Sequence, residues 1–542
     1  MKISSITATA DKIKIHFTDV EAGIGVTVKA FVPLIVGNAK ENKMPGRQVV
    51  SHTAEAEEVI GLPRFKDGYD LALCRFDVEA RGRLLAGVRY VTETCDGYSK
   101  SSFAFSVKKP VGTWVDATEE DMDLLGFGCM MNEFNCAWIQ TVTPKEGDIP
   151  HAFNGKTYYF NREFMELYDS LMIPSVKRGI PCLIRLINRF SYRLCDSDEA
   201  LCRVIGHPDY EPTGFNEQMS AFNIRTEEGF EAYCACIDFL CARYADPESP
   251  LFCSTVMDVG NEINAQATWH NCGAMRCAEY VEEYTEQLRI ANLISKRYNS
   301  LFRTHVSFDH NFADHILEPD RMRHYPARDC LAYLAAYSKR DGDFDWGISA
   351  HPYPENLSKP DFYNDMTATF SFDSTRITMK NLEIWQSIVN LPELAYKGQP
   401  RHVVFDEQGF HTAYDDPESE NKGAYAFVLA YLKLRKCPNI DWFLINRYAD
   451  MPLEDESGLH LGLRYENGYA DERHLFIKPG NYKKICHAIR DMESDAEEKW
   501  IAEAREYVGN ALFDSLLSPP APAPTAYFKE IIDLVAQTSL GV

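Results

Sequence analysis

From about residue 112 onward the chain repeats one pattern: a short apolar run, a loop, then a segment with helical spacing. The apolar runs are Leu124–Met131, Pro181–Ile187, Met219–Ile224, Phe252–Val259, Leu301–Phe308, Trp346–Ala350, His402–Phe405 and Ile440–Ile445. Between most of them lie segments such as Arg162–Arg178, Thr226–Tyr244 and Lys422–Arg435, whose apolar residues recur at three- and four-residue intervals. Strands apolar along both faces, alternating with helices, form a parallel sheet covered on its outer side. Eight such units predict an α/β fold of the (β/α)8 barrel type rather than an open sheet. No run is followed by GxGxxG or a P-loop, so the usual sequence evidence for a dinucleotide or nucleotide site is missing.

The first 112 residues have another texture. Short alternating runs, among them Ile13–Phe17, Gly25–Pro33 and Tyr69–Phe76, are divided by turn signals such as Lys66-Asp67-Gly68 and Asp96-Gly97. That predicts an Ig-like β-sandwich. The expected organisation is a sandwich over residues 1–112, a barrel over 113–515, and a Pro-rich linker with a C-terminal helix over 516–542.

Lys and Arg number 56 against 80 Asp and Glu, a net charge of −24. Such an acidic surface argues against nucleic acid or an anionic membrane as partner, because phosphate binding needs a basic footprint. The apolar stretch Ala424–Leu432 is about half the ~18 residues a membrane span requires. The N-terminus alternates polar with apolar and has no export-type apolar core. The 16 cysteines are scattered with no CxxC pair. These features predict a cytoplasmic protein with free thiols, no zinc or other metal site by ligand spacing, and no cofactor.

In a barrel the chemistry sits at the C-terminal ends of the strands. Three ends stand out: Gly260-Asn261-Glu262 after the fourth run, His351-Pro352-Tyr353 after the sixth, and Asp406-Glu407-Gln408-Gly409 after the seventh. Two carboxylates on separate strand ends, with nothing cofactor-like beside them, are the equipment for glycoside hydrolysis. One protonates the leaving oxygen while the other attacks the sugar or activates water. Asn-Glu also occurs at Asn132-Glu133 and Asn216-Glu217, so the dipeptide alone does not choose the acid.

With its order of motifs over about residues 120–490, the chain resembles the clan A glycoside hydrolases, retaining barrel enzymes. The resemblance implies Glu262 as acid/base and Glu407 as nucleophile, a polysaccharide or oligosaccharide as substrate, and Asn261 as donor to the sugar 2-hydroxyl. It places His351 and Tyr353 beside the nucleophile, and makes Arg185 similar to the clan's strand-two arginine. Of the neighbours Asp406 and Glu407, strand alternation is expected to turn only one into the mouth, and the clan pattern selects Glu407. Asn132, His310 and Arg447 are further strand-end candidates for a polyhydroxylated ligand, and Trp269 with His270 for a stacking wall. Many clan members have a tryptophan at the very end of strand eight; here Trp442 comes early in that strand and is expected in the core. A non-catalytic carbohydrate-binding barrel and an inverting glycosidase are the alternative readings. These motifs specify neither the sugar nor the number of chains in the working particle.

Overall fold

The computed structural model describes residues 1–539 apart from 22, 35–45, 108, 193–194, 197, 213–218 and 316–317. The Asn216-Glu217 pair lies outside the described residues. Eight parallel strands close into a barrel: β1 (Val111–Trp114), β2 (Cys129–Asn135), β3 (Cys182–Ile187), β4 (Val256–Val259), β5 (Arg303–Phe308), β6 (Trp346–Ala350), β7 (Val403–Gln408) and β8 (Ile440–Ile445). β1 pairs with both β2 and β8, which closes the ring.

Two strand assignments from sequence are corrected. Met219–Ile224 is not a barrel strand; it makes only isolated bridges, for example Met219 with Arg189 and Phe222 with Gly206. It is apolar because it is buried in the long β3–β4 connection. The missing strand is β1, which straddles the boundary expected at residues 112 and 113. In the fold, a Cβ on Gly112 would come 1.7 Å from the Cys129 carbonyl oxygen, so the close approach of β1 to β2 requires glycine. One strand lost and one gained leave β4 to β8 with the numbers the sequence suggested.

The barrel interior is layered. Cys129, Met131, Leu183, Val256, Val404, Trp442 and Leu444 form a buried apolar cluster, so Trp442 is core. Two residues further along three of these strands the inward position becomes charged: Leu183 is followed by Arg185, Val256 by Asp258, and Val404 by Asp406. The strand period of two carries each strand from the apolar layer to the charged one.

The N-terminal region forms two four-stranded sheets. One has the order Glu93–Thr94, Lys2–Ala8, Lys12–Thr18, Val59–Pro63; the other Gln48–Glu55, Gly25–Phe31, Arg75–Ala80, Arg83–Leu84. Alternate residues such as Ile13, Ile15, Val26 and Val28 are buried, and they belong to the same continuous core as the barrel's outer shell. The final helix, Tyr527–Ser539, returns to the barrel through Tyr527 Oη, which donates to Asp329 at 2.6 Å. Among the described residues, no helix is long and apolar enough to cross a membrane, and the fifteen described cysteines are free.

Candidate active site

The C-terminal ends of the strands surround a cavity of about 420 Å³. Glu262 and Glu407 both face it, and a carboxylate oxygen of each lies within 4.8 Å of the other. Glu262 follows β4 in a left-handed backbone conformation, φ 36°. A non-glycine residue there carries strain of ~1–3 kcal/mol, so the surroundings must hold it. Ser307 at the end of β5 does so: its hydroxyl accepts from the Glu262 amide at 3.1 Å, and its carbonyl accepts from the Ile263 amide at 3.0 Å.

The two carboxyls have opposite surroundings. Burial raises the Glu262 pKa; the His351 ring, 2.7 Å away, pulls it down but does not cancel that effect, and the charges of Asp309 and Glu407 add to the rise. Burial would raise Glu407 as well, yet its pKa is lowered, first by the positive His351 ring and then by the Arg185 guanidinium. Arg185 donates to Glu407 at 2.5 Å, Tyr353 Oη donates at 3.0 Å, and Asn446 donates at 3.2 Å. The two shifts run in opposite directions, up for Glu262 and down for Glu407.

Beneath them the strand alternation expected at Asp406 and Glu407 fails. The β7–β8 register shifts between Phe405 and Gln408, and this irregularity lets both carboxylates turn toward the site. Asp406 is fully buried, accepts from Arg185 at 2.5 Å, and lies 3.3 Å from His351 Nε2. Its pKa is lowered; burial opposes this, but His351 and Arg185 outweigh it. Asp258, in the same layer, is driven the other way, first by burial and then by the Asp406 charge.

From this pair a hydrogen-bonded seam runs down the β5–β6 side. Ser349 donates to Asp258; His305 Nδ1 lies 3.2 Å from Ser349 Oγ; His305 Nε2 lies 3.0 Å from His402 Nδ1; and His402 Nε2 lies 2.6 Å from the half-exposed Asp441. Gly347 leaves the space His305 occupies, since a Cβ there would sit 2.2 Å from the ring nitrogen.

Of the other residues expected at the site, Asn132, Arg185, Asn261, Trp269, His310, Tyr353 and Arg447 face the cavity. Asn261 lines the cavity, and its Oδ1 is buried with no hydrogen-bond partner. Arg447 is engaged by Glu454 at 2.6 Å. His351 is corrected: it is fully buried, does not line the cavity, and bridges Glu262 to Asp406 from behind. His270 also leaves the proposed wall, because it is buried against Tyr280 at 2.8 Å, and burial lowers its pKa to about 3. The rival Glu133 faces the cavity but is paired with Arg189 at 3.0 Å.

Spacing along the chain hid two clusters able to hold a metal ion. One is Glu262, His351 and Glu407 themselves; the other is Asp450, Asp455 and His460. In the second, the buried Lys483 ammonium already supplies positive charge, 2.7 Å from Asp450. Sequence reasoning also missed Trp114, whose indole donates to Asn446 at 2.8 Å, together with Ser307 and Asp258. Trp114 stands at the C-terminal end of an unrecognised strand, so the strand-end rule applied to β1 would have found it.

Fold and site together define a (β/α)8 barrel with a paired-carboxylate centre. Over residues 106–516 the chain belongs to DUF5722, a family of unknown function. No curated protein matches it. Among solved structures it is similar to a family 39 glycoside hydrolase from the gut symbiont Bacteroides cellulosilyticus WH2, at 14% identity and TM-score 0.43, with 92% of this chain and 83% of that one covered. It is also similar to GH5_18 from Streptomyces cattleya, at 15% identity and TM-score 0.44, covering 80% of this chain and 97% of that one. A third is a hyperthermophilic β-glucosidase from Pyrococcus furiosus, at 11% identity and TM-score 0.43, covering 73% and 86%.

Proposed function

We propose that the chain is a retaining glycoside hydrolase acting on a carbohydrate substrate, with Glu262 as acid/base and Glu407 as nucleophile. The observation that carries this reading is one pair of carboxyls, within 4.8 Å at their nearest oxygens, with pKa values displaced in opposite directions. Retention uses carboxyls ~5–5.5 Å apart, whereas inversion needs ~6.5–9.5 Å to admit a water between acid and sugar. A purely binding barrel has no need to displace two neighbouring carboxyls in opposite directions.

In the first step Glu407 attacks the anomeric carbon while Glu262 gives its proton to the leaving oxygen, forming a glycosyl ester on Glu407 and releasing the aglycone. In the second, Glu262, now ionised, takes a proton from water, whose oxygen displaces Glu407. Arg185, Tyr353 and Asn446 hold the Glu407 carboxylate for the attack, and Asn261, which lines the cavity, is assigned to a sugar hydroxyl.

The test is Glu407→Ala assayed on activated glycosides of several sugar configurations. Turnover should fall on the order of 10⁵-fold or more, since only binding and electrostatic contributions are left. Added azide should restore it and give a glycosyl azide of inverted configuration. Asp406→Ala, whose side chain lies below the cavity against Arg185, should show no rescue. Rescue confined to the Asp406 variant would reassign the nucleophile, and rescue in neither would end the retaining reading. Glu262→Gln should lose most activity on poor leaving groups and little on good ones, because good ones need little protonation.

A further inference from the structure

One side of the barrel mouth takes no part in the two chemical steps. Trp114 ends β1 and lines the cavity, half-buried. Its indole packs on the apolar layer inside the barrel, and its N–H is spent on Asn446 Oδ1 at 2.8 Å. Asn446 in turn donates to Glu407 at 3.2 Å, so the ring stands two hydrogen bonds from the nucleophile. What the indole can still offer the cavity is apolar ring surface. Two residues further on, Asp116 lines the same cavity. Its Oδ1 is buried with no hydrogen-bond partner, and burial pushes the carboxyl up to about 6. The arginines of the lining are each engaged already: Arg185 by Glu407, Arg189 by Glu133 and Arg447 by Glu454.

Strand order decides which part of a substrate this side meets. Glu262 follows β4, and in the closed ring of eight the strand directly across from β4 is β8, with β1 beside it. Glu262 protonates the leaving oxygen, so the leaving group lies on its side of the mouth and the glycone extends from Glu407 toward β8 and β1. Resting on the glycosidase reading, we infer that the end of β1 is the glycone subsite: Trp114 is the platform for the C–H face of the sugar ring, and Asp116 accepts from one of its hydroxyls. An aromatic face gains from the apolar side of a sugar, and a hydroxyl that leaves water for the cavity needs an acceptor in exchange. A glycone carrying a carboxylate is disfavoured, because it would meet Asp116 beside arginines that are already engaged. The substrate class is then a glycoside whose cleaved residue is a carboxylate-free sugar with a continuous C–H face.

The test uses glycosyl fluorides, whose leaving group is too small to fill a leaving-group subsite, so their rates read the glycone alone. The unaltered chain is screened with both anomers of the gluco, galacto, manno, xylo, arabino and fuco fluorides. No turnover of any of them ends the glycosidase reading, and this assignment falls with it. For the configuration that turns over, Trp114→Ala should lower kcat/KM about ten- to hundredfold, whereas Trp114→Phe, which keeps a ring but not the N–H, should stay within about fivefold. Equal losses in the two would mean that Trp114 acts only by orienting Asn446, and would overturn the platform. Asp116→Ala should cost about tenfold on the parent sugar and no more than about twofold on one of its 2-, 3-, 4- or 6-deoxy analogues, where the partner hydroxyl is already gone. A loss shared evenly by parent and analogues is that of a structural residue and overturns the contact. The corresponding uronyl fluoride should turn over at least about tenfold more slowly than the parent, with Asp116→Asn narrowing the gap. A uronyl fluoride that matches the parent overturns the substrate class and leaves the glycosidase standing. The analogue and uronyl comparisons are ratios within one protein, so an unfolded fraction cancels from them.

Discussion

Two sides of the barrel interior solve the same problem differently. On β3, β4 and β7 each charged residue stands above an apolar one, so Arg185, Asp258 and Asp406 sit on the layer of Leu183, Val256 and Val404. On β5 and β6 polarity continues downward through Ser349 and His305 to His402 and Asp441. The first side places charge against a dry floor, where an unpaired ion is costly and a paired one is held firmly. The second connects the site to the far end of the barrel by hydrogen bonds whose members are satisfied by one another. The carboxylates that need fixed, opposite pKa values draw on both: Glu407 on the Arg185 charge, Glu262 on the His351 ring above the seam.

The largest expected effect comes from removing the cation of the first side. Arg185→Met leaves Asp406 and Glu407 without their shared partner and should cost about 3–5 kcal/mol of stability, with kcat/KM lower by about 10²–10³. Leu183→Ala, one layer below, should cost about 2–5 kcal/mol through its cavity while leaving kcat per folded molecule within about threefold. Thermal melts and active-site titration read both, and a Leu183 variant that lost activity as Arg185→Met does would erase the distinction between layers. Next in size, Gly347→Ala should destabilise by about 1–3 kcal/mol because its Cβ meets His305. Adding His305→Ala should recover part of that loss in a double-mutant cycle; strict additivity would mean the two do not touch.

The smallest effect concerns pH. Activity should rise as Glu407 ionises below the ordinary glutamate value of 4.5, and fall as Glu262 ionises above it. The protonated His351 ring favours the charged form of both carboxyls. Its removal in His351→Asn lets both bind protons more tightly, so both limbs of the pH–rate profile should move up, by about one unit or ~1.4 kcal/mol. Limbs that move apart or downward would show that His351 does not carry the charge assigned to it.

Much of this was legible because barrel strands announce themselves as apolar runs and barrel chemistry is confined to their ends. What escaped did so for physical reasons. β1 is four residues long and contains a glycine demanded by close packing, so it looked like a linker; Met219–Ile224 is apolar through burial alone, so it looked like a strand. The candidate acid and nucleophile could be named, but their control could not. Asp258 sits inside an apolar run where only the inward phase distinguishes it, and the β7 irregularity that turns both Asp406 and Glu407 toward the site depends on pairing with β8.

The sandwich gives the barrel a further property. Its Arg89 amide donates to the Asp341 carbonyl, Tyr98 Oη donates to the Leu293 carbonyl at 2.7 Å, and Arg289 lies 4.7 Å from the Tyr90 ring. Asp341 ends the helix Ala327–Asp341, while Arg289 and Leu293 belong to Cys277–Ser295, the two helices that flank β5 in sequence. The sheets thus brace the wall of the barrel that carries the polar seam. Because the two regions share one continuous core, opening either one exposes apolar surface of the other.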